Sequence, residues 1–169
     1  MINDFKSSHL TMIHGHDSQE SLYDLLIESI IKFDKDVLFI DCNNSIDPYR
    51  LAKMAKVHGQ RPKDILSRIH ISRAFTQYQM EAITYRIDAA IHRWNISLLT
   101  ISNMSSLFEL EDINLFELLI SHIKLLTKHS GIMTIMTIIT SFENREFDEL
   151  LAKNADIIFD LPVPCGQRH

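Results

Sequence analysis

The octapeptide Gly15-His16-Asp17-Ser18-Gln19-Glu20-Ser21-Leu22 lies between a short apolar run and an amphipathic stretch. A mononucleotide fold keeps its phosphate-cradling loop at that place, with the spacing G-x-x-x-x-G-K-[ST]. In that register only Gly15 matches. Glu20 stands at the second glycine, Ser21 at the lysine and Leu22 at the hydroxyl residue. Backbone N–H groups approach a phosphate closely only where side chains allow it. A carboxylate at position 20 repels the anion, and leucine cannot ligate magnesium. The N-terminus of the following helix still offers unpaired N–H groups and partial positive charge, which Asp17 and Glu20 already complement. The four glycines of the chain, Gly15, Gly59, Gly131 and Gly166, are scattered singly, so an ordinary glycine-rich nucleotide loop is absent.

Other reactive residue types are present without a recognised arrangement. Of nine histidines only His14 and His16 lie close together, and no H-E-x-x-H or Cys/His grouping exists. Those two would share one side of a strand and at most form a weak metal site. Ser18 and Ser21 near these histidines lack the G-x-S-x-G elbow of a hydrolase nucleophile. Cys42 and Cys165 are too far apart for a metal pair and too few for a disulfide framework. Met133 and Met136 read as core, and Trp94 as a packing anchor. Between residues 49 and 73, Arg50, Lys53, Lys56, Arg61, Lys63, Arg68 and Arg73 face Asp64 alone, an excess of six that leaves −11 on the rest of a chain whose total is −5. Such a segment is either a solvated helical surface or a face for nucleic acid or an acidic partner.

The elements that carry these residues alternate. With 169 residues, 46 % hydrophobic, the chain suits one domain with a core of its own and is too apolar for disorder. Strands are expected at residues 10–14, 37–40, 69–72, 96–101, 132–139 and 156–159, and helices at 19–33, 48–58, 62–67, 77–93, 114–128 and 147–153. Asp47 and Pro48 form a cap and first turn, and His58-Gly59 a stop. Inward faces are expected from Leu51, Met54, Ala55 and Val57, from Ile83, Ile87, Ala90 and Ile91, and from Leu115, Leu118, Leu119, Ile123, Leu125 and Leu126. Strands such as 37–40, apolar throughout, are those of a parallel sheet covered on both faces. No run approaches the roughly 20 apolar residues of a membrane span. The opening Met1-Ile2-Asn3-Asp4-Phe5-Lys6 has no export-signal pattern, so the expected location is cytoplasmic, with reduced thiols.

Several segments, in order, carry a resemblance. His70-Ile71-Ser72-Arg73-Ala74-Phe75-Thr76 with Gln79 resembles the segment of RadA/RecA-type recombinases whose third strand ends in A-R-A-F. Residues 39–51, Phe39-Ile40-Asp41-Cys42-Asn43-Asn44-Ser45-Ile46-Asp47-Pro48-Tyr49-Arg50-Leu51, resemble I-D-T-E-G-T-F-R-P-E-R-L. Residues 98–108 are similar to the Walker B strand with its trailing S-L-T-S-x-F, and residues 131–140 to the strand that ends in T-N-Q. The likeness spans about residues 9–160. It implies an α/β fold: a three-layer RecA-like P-loop core, a mainly parallel twisted sheet with helices on both faces. The chain, 1–169, would be one such core without the family's N-terminal domain.

The departures from that pattern bear on function. Family members activate the attacking water with a glutamate, and Asn43 stands at its position, two residues after the matching Asp41. The Walker B aspartate becomes Ser102, and the phosphate lysine Ser21. The family's DNA loops follow the fourth and fifth strands. Here the first, at 108–113, has three acids and no base, and the second, at 141–146, one arginine against two glutamates. These replacements remove anion cradle, metal anchor and water activation together, so ATP with magnesium is a disfavoured cofactor and none is expected. The resemblance implies a non-catalytic recombinase paralog, a pseudo-ATPase acting as a binding or regulatory module in DNA recombination or repair. Its implied partner is a recombinase or another paralog, with weak nucleic-acid binding and self-association left open. The alternatives are a divergent nucleotide-binding protein or weak ATPase, and a RecA-fold interaction protein unrelated to DNA.

Overall fold

In a computed structural model, described here for residues 2–15, 18–138 and 145–160 (backbone alone for 18–20), six strands form one sheet. They are β1 (Leu10–His14), β2 (Asp36–Asp41), β3 (Ile69–Arg73), β4 (Ile96–Ser102), β5 (Met133–Ile138) and β6 (Ile157–Asp160). All neighbours are parallel, in the order β3-β2-β4-β5-β1-β6. The helices are α1 (Ser18–Phe33), α2 (Pro48–Val57), α3 (Pro62–Leu66), α4 (Gln77–Thr84), α5 (Ile87–Trp94), α6 (Ile113–Ser130) and α7 (Arg145–Asn154). The fold is a three-layer α/β core of the Rossmann/RecA-like kind; the alternation of elements predicted the parallel α/β sheet, and the resemblance implied the three-layer core.

Alternation along the strands divides the core in two. Ile13, Val37, Phe39, Leu98 and Ile135 pack with α1, α2 and α3. Leu10, Met12, Leu38, Ile40, Leu99, Ile101 and Met136 pack with α4, α5, α6 and α7. One cross-sheet row, Ile71–Phe39–Thr100–Ile135–Thr11–Ile157, fixes the register. A one-residue slip would turn that row to the other layer. On the second face Thr127 of α6 meets Thr134 of β5 at 2.6 Å, both buried, and so seats the longest helix.

Three expectations about local structure need correction. The helix read over residues 77–93 is two, α4 and α5, broken at Tyr85 and Arg86. Thr84 turns its hydroxyl back onto the Met80 carbonyl at 2.8 Å, a contact that favours a bend. Leu118 and Leu125 point outward, and Phe116 and Ile120 take the core positions. An all-apolar stretch such as Leu118-Leu119-Ile120 does not mark which member is buried. Val57 is likewise exposed, on the outer side of α2, away from the buried Leu51 and Ala55. Among the described residues no helix is long and apolar enough to cross a membrane.

Candidate functional site

Ligands of open parallel sheets bind outside the carboxyl ends of strands, where neighbouring strands send their connections to opposite faces. Three neighbouring pairs do so here: β3 with β2, where β3 leads to α4, and the two pairs that hold candidate residues. In these two, β2 leads to α2 on one face while β4 leads to α6 on the other, and β1 leads to α1 while β5 leads to α7. Asp41, Asn43 and Ser102 stand at the first crevice, and Gly15 at the second.

The first crevice is closed by its own hydrogen bonds. Asp41 is 0 % exposed. Its carboxylate accepts from Ser45 N at 2.9 Å, Ser45 Oγ at 3.3 Å and Ile46 N at 3.2 Å, with Arg73 Nε at 3.5 Å. Tyr23, buried on α1, holds the same loop from below. Its hydroxyl donates to Ser45 O at 3.1 Å and accepts from Asp47 N at 2.7 Å. Asp47 then caps α2 by accepting from Tyr49 N and Arg50 N. Asp41 is thus a loop cap, and α2 begins where a cap and a proline dictate.

The two positions at which the resembled family carries carboxylates, Asn43 and Ser102 here, touch each other. Ser102 Oγ accepts from Cys42 N at 3.2 Å and donates to Asn43 Oδ1 at 3.1 Å, with Ile40 O and Asp41 Oδ1 each at 3.4 Å. Magnesium needs octahedral oxygen ligands, usually including one or two carboxylates. The one carboxylate in this crevice spends its oxygens on loop donors, so the residues do not fit the ion. Asn43 holds no proton-accepting group for water activation. Cys42 between them is no nucleophile either: burial first, then the Asp41 charge, push its thiol well above the ordinary range, and Met80 Sδ lies 3.7 Å away.

At the second crevice Gly15 leaves β1 at φ 139°, a conformation that side chains resist, which accounts for the glycine. His16 and Asp17 lie outside the described residues, as do the side chains of Ser18 and Glu20 and the loop at 139–144. Ser21 lies within α1. His14 Nδ1 sits 3.3 Å from Asp160 Oδ1 across the β1–β6 ends. No group of three His, Cys, Asp or Glu among the described residues suits a metal. Beside this end, Asp148 of α7 buries both carboxyl oxygens, and among the described residues neither they nor the facing Ser105 Oγ makes a hydrogen bond of ordinary length. Burial raises the Asp148 pKa, against smaller opposing effects of the Ser105 hydroxyl and of His14.

Part of the basic segment is paired with carboxylates. Arg61 pairs with Asp64 at 2.6 Å, Arg68 with Asp34 at 2.8 Å and Asp36 at 3.0 Å, and Arg73 reaches Asp41. Arg50, Lys53 and Lys56 remain together on α2, with Lys63 on α3. Three of the seven basic residues are thus offset by carboxylates.

A groove that the residue pattern did not single out lies at the far side of the sheet. Among the described residues β3 is an edge strand, paired with β2 alone. Between it and α5 runs a groove of about 440 Å³ over Leu38, Ile83, Ile87 and Ala90, with Arg86 and Arg93 among its lining and no acidic residue. Trp94, the single tryptophan, stacks on His70 at 4.2 Å and 8°. His70 is held in turn by Asp36 at 2.8 Å. Arg93 lies over the Trp94 ring at 5.5 Å. Neither arginine forms an ion pair among the described residues. The alternation Ile69-His70-Ile71-Ser72-Arg73, unlike the unbroken 37–40, was the available signal for a strand with one side uncovered.

The chain was compared with models of known protein families, and no family model matches it.

Proposed function

We propose that this chain is a non-catalytic, recombinase-like binding module that takes a partner along the β3 edge. The observation that carries the reading is the groove itself. An edge strand presents unpaired N–H and C=O groups to which an extended segment can add. Apolar side chains of that segment would settle over Ile83, Ile87 and Ala90, and its carboxylates would meet Arg86 and Arg93. The saturated Asp41 and the Asn43–Ser102 contact support a role without phosphoryl transfer. The assignment to DNA recombination or repair, with a recombinase or another paralog as partner, rests on the resemblance of residues 39–51 and 69–75.

Trp94 makes the test direct. Titration of the full chain with a purified recombinase of its host should change Trp94 emission, and Arg86→Glu with Arg93→Glu should abolish the change. An unaltered spectrum, with the chain sedimenting as a monomer beside the recombinase, would remove this reading.

A further inference from the structure

The outer face of α2 is a second exposed surface, and it belongs to the opposite layer of the fold. Tyr49 is 88 % exposed and Val57 80 %. With Lys53 and Lys56, both exposed, they fall at i, i+4, i+7 and i+8, a single stripe along the helix. Neither lysine forms an ion pair among the described residues, whereas Arg61, Arg68 and Arg73 of the same segment all do. The stripe stands on a rigid base. Leu51 and Ala55 are buried beneath it, Asp47 caps one end, and His58 Nε2 meets Asp24 Oδ1 at 2.9 Å at the other.

We propose that this stripe docks an acidic, amphipathic helix of a partner protein. Carboxylates of such a helix would face Lys53 and Lys56, and its aliphatic residues would cover Tyr49 and Val57, in the manner of helix recognition by spaced anchors. Charge selects this occupant. Outside residues 49–73 the chain carries −11, a field that opposes the approach of a long polyanion more than that of a short segment. An exposed valine, moreover, adds nothing to a phosphate contact. Because α2 packs on one face of the sheet and α5 on the other, the stripe and the β3-edge groove can be occupied together. The chain would then bridge two partners, and the α2 stripe would do its part whether or not the groove is used.

The test is a titration of the 15N-labelled full chain, followed amide by amide. The probes are a 16-residue helical peptide of glutamate and leucine, a dT16 oligonucleotide, and phosphatidylserine/phosphatidylcholine vesicles, in separate arms. Expected is movement of the α2 amides with the peptide and none along β3 and α5. Lys53→Glu with Lys56→Glu should weaken the peptide about tenfold or more, and Tyr49→Ala about tenfold, the size of a modest anchor. Lys6→Glu should leave it unchanged. Unshifted melting of the variants separates lost docking from lost folding. Peptide binding that survives charge reversal, or no α2 movement, would overturn the proposal. So would tighter α2 binding of the oligonucleotide or vesicles, or α2-dependent self-association in sedimentation.

Discussion

The β2/β4 crevice and the β3-edge groove lie on one sheet, yet they differ in how polar groups are used. In the crevice, Asp41, Ser102, Asn43 and the Ser45–Asp47 backbone satisfy one another. In the groove, two arginines and an apolar floor meet no acid of the described chain. Buried polar groups must be paired or they cost stability, so a crevice that pairs them internally is suited to hold a loop. A groove that leaves charge and apolar surface facing water is suited to receive something.

The largest effect should come from opening the crevice. Asp41→Ala leaves the Ser45 and Ile46 N–H groups unpaired and Arg73 without its carboxylate, and should cost about 3–5 kcal/mol, as removal of one partner from a buried charged network does. Denaturant unfolding measures it; a loss under about 1 kcal/mol would mean that the loop is not held through Asp41. Next comes the groove. The double charge reversal at Arg86 and Arg93 should leave the unfolding midpoint in place and weaken partner binding about a hundredfold, or about 2.7 kcal/mol. Equal losses of stability and binding would make the arginines structural and erase the contrast.

Two aspartates refine the picture at opposite ends of the sheet. At the amino end, burial works against the Asp156 charge, but the Leu10 N–H bond at 3.0 Å and Lys124 outweigh it and lower the pKa. Its stabilisation is therefore present above the unfolded value of about 3.9 and is lost as pH falls through the depressed one. Asp148, with its raised pKa, works in the other direction. It favours the fold at low pH, and that contribution disappears as pH rises through the raised value. Asp148→Asn should accordingly stabilise the protein near pH 7, by about 1 kcal/mol, and Asp156→Asn destabilise it by a similar amount. Unfolding midpoints of both variants at pH 7 and pH 4 measure the difference; equal signs at pH 7 would refute it. The smallest effect should be that of ATP with magnesium. A nucleotide at 100 times its dissociation constant would add about 2.7 kcal/mol, and the expected thermal shift is none. A clear shift would place a nucleotide where the crevice residues do not fit one.

Much of the frame was legible because strands covered on both faces and capped helices write local signals. The run Val37-Leu38-Phe39-Ile40, the Asp47–Pro48 cap and the His58-Gly59 stop all appear where those residue types require. Asp41, at the end of its strand, was recognisable as a match and as a loop cap, but the donors that saturate it, Ser45 and Ile46, are defined only by the folded loop. The split of the 77–93 helix and the outward turn of Leu118, Leu125 and Val57 were illegible for a related reason. An apolar periodicity tells how many residues can be buried, not how far the neighbouring layer extends.

The amino-acid order alone thus determined the alternation of strands and helices, and the absence of a carboxylate at position 43 or 102, because these depend on residue identity and near neighbours. The folded chain decided the rest. It brought Ser102 onto Asn43 from 59 positions away, set Arg68 and Arg73 against carboxylates of β2 and the turn before it, and put β3 at an open edge beside Trp94. Pairing, edge position and exposure are properties of segments distant in sequence that meet only when the sheet assembles.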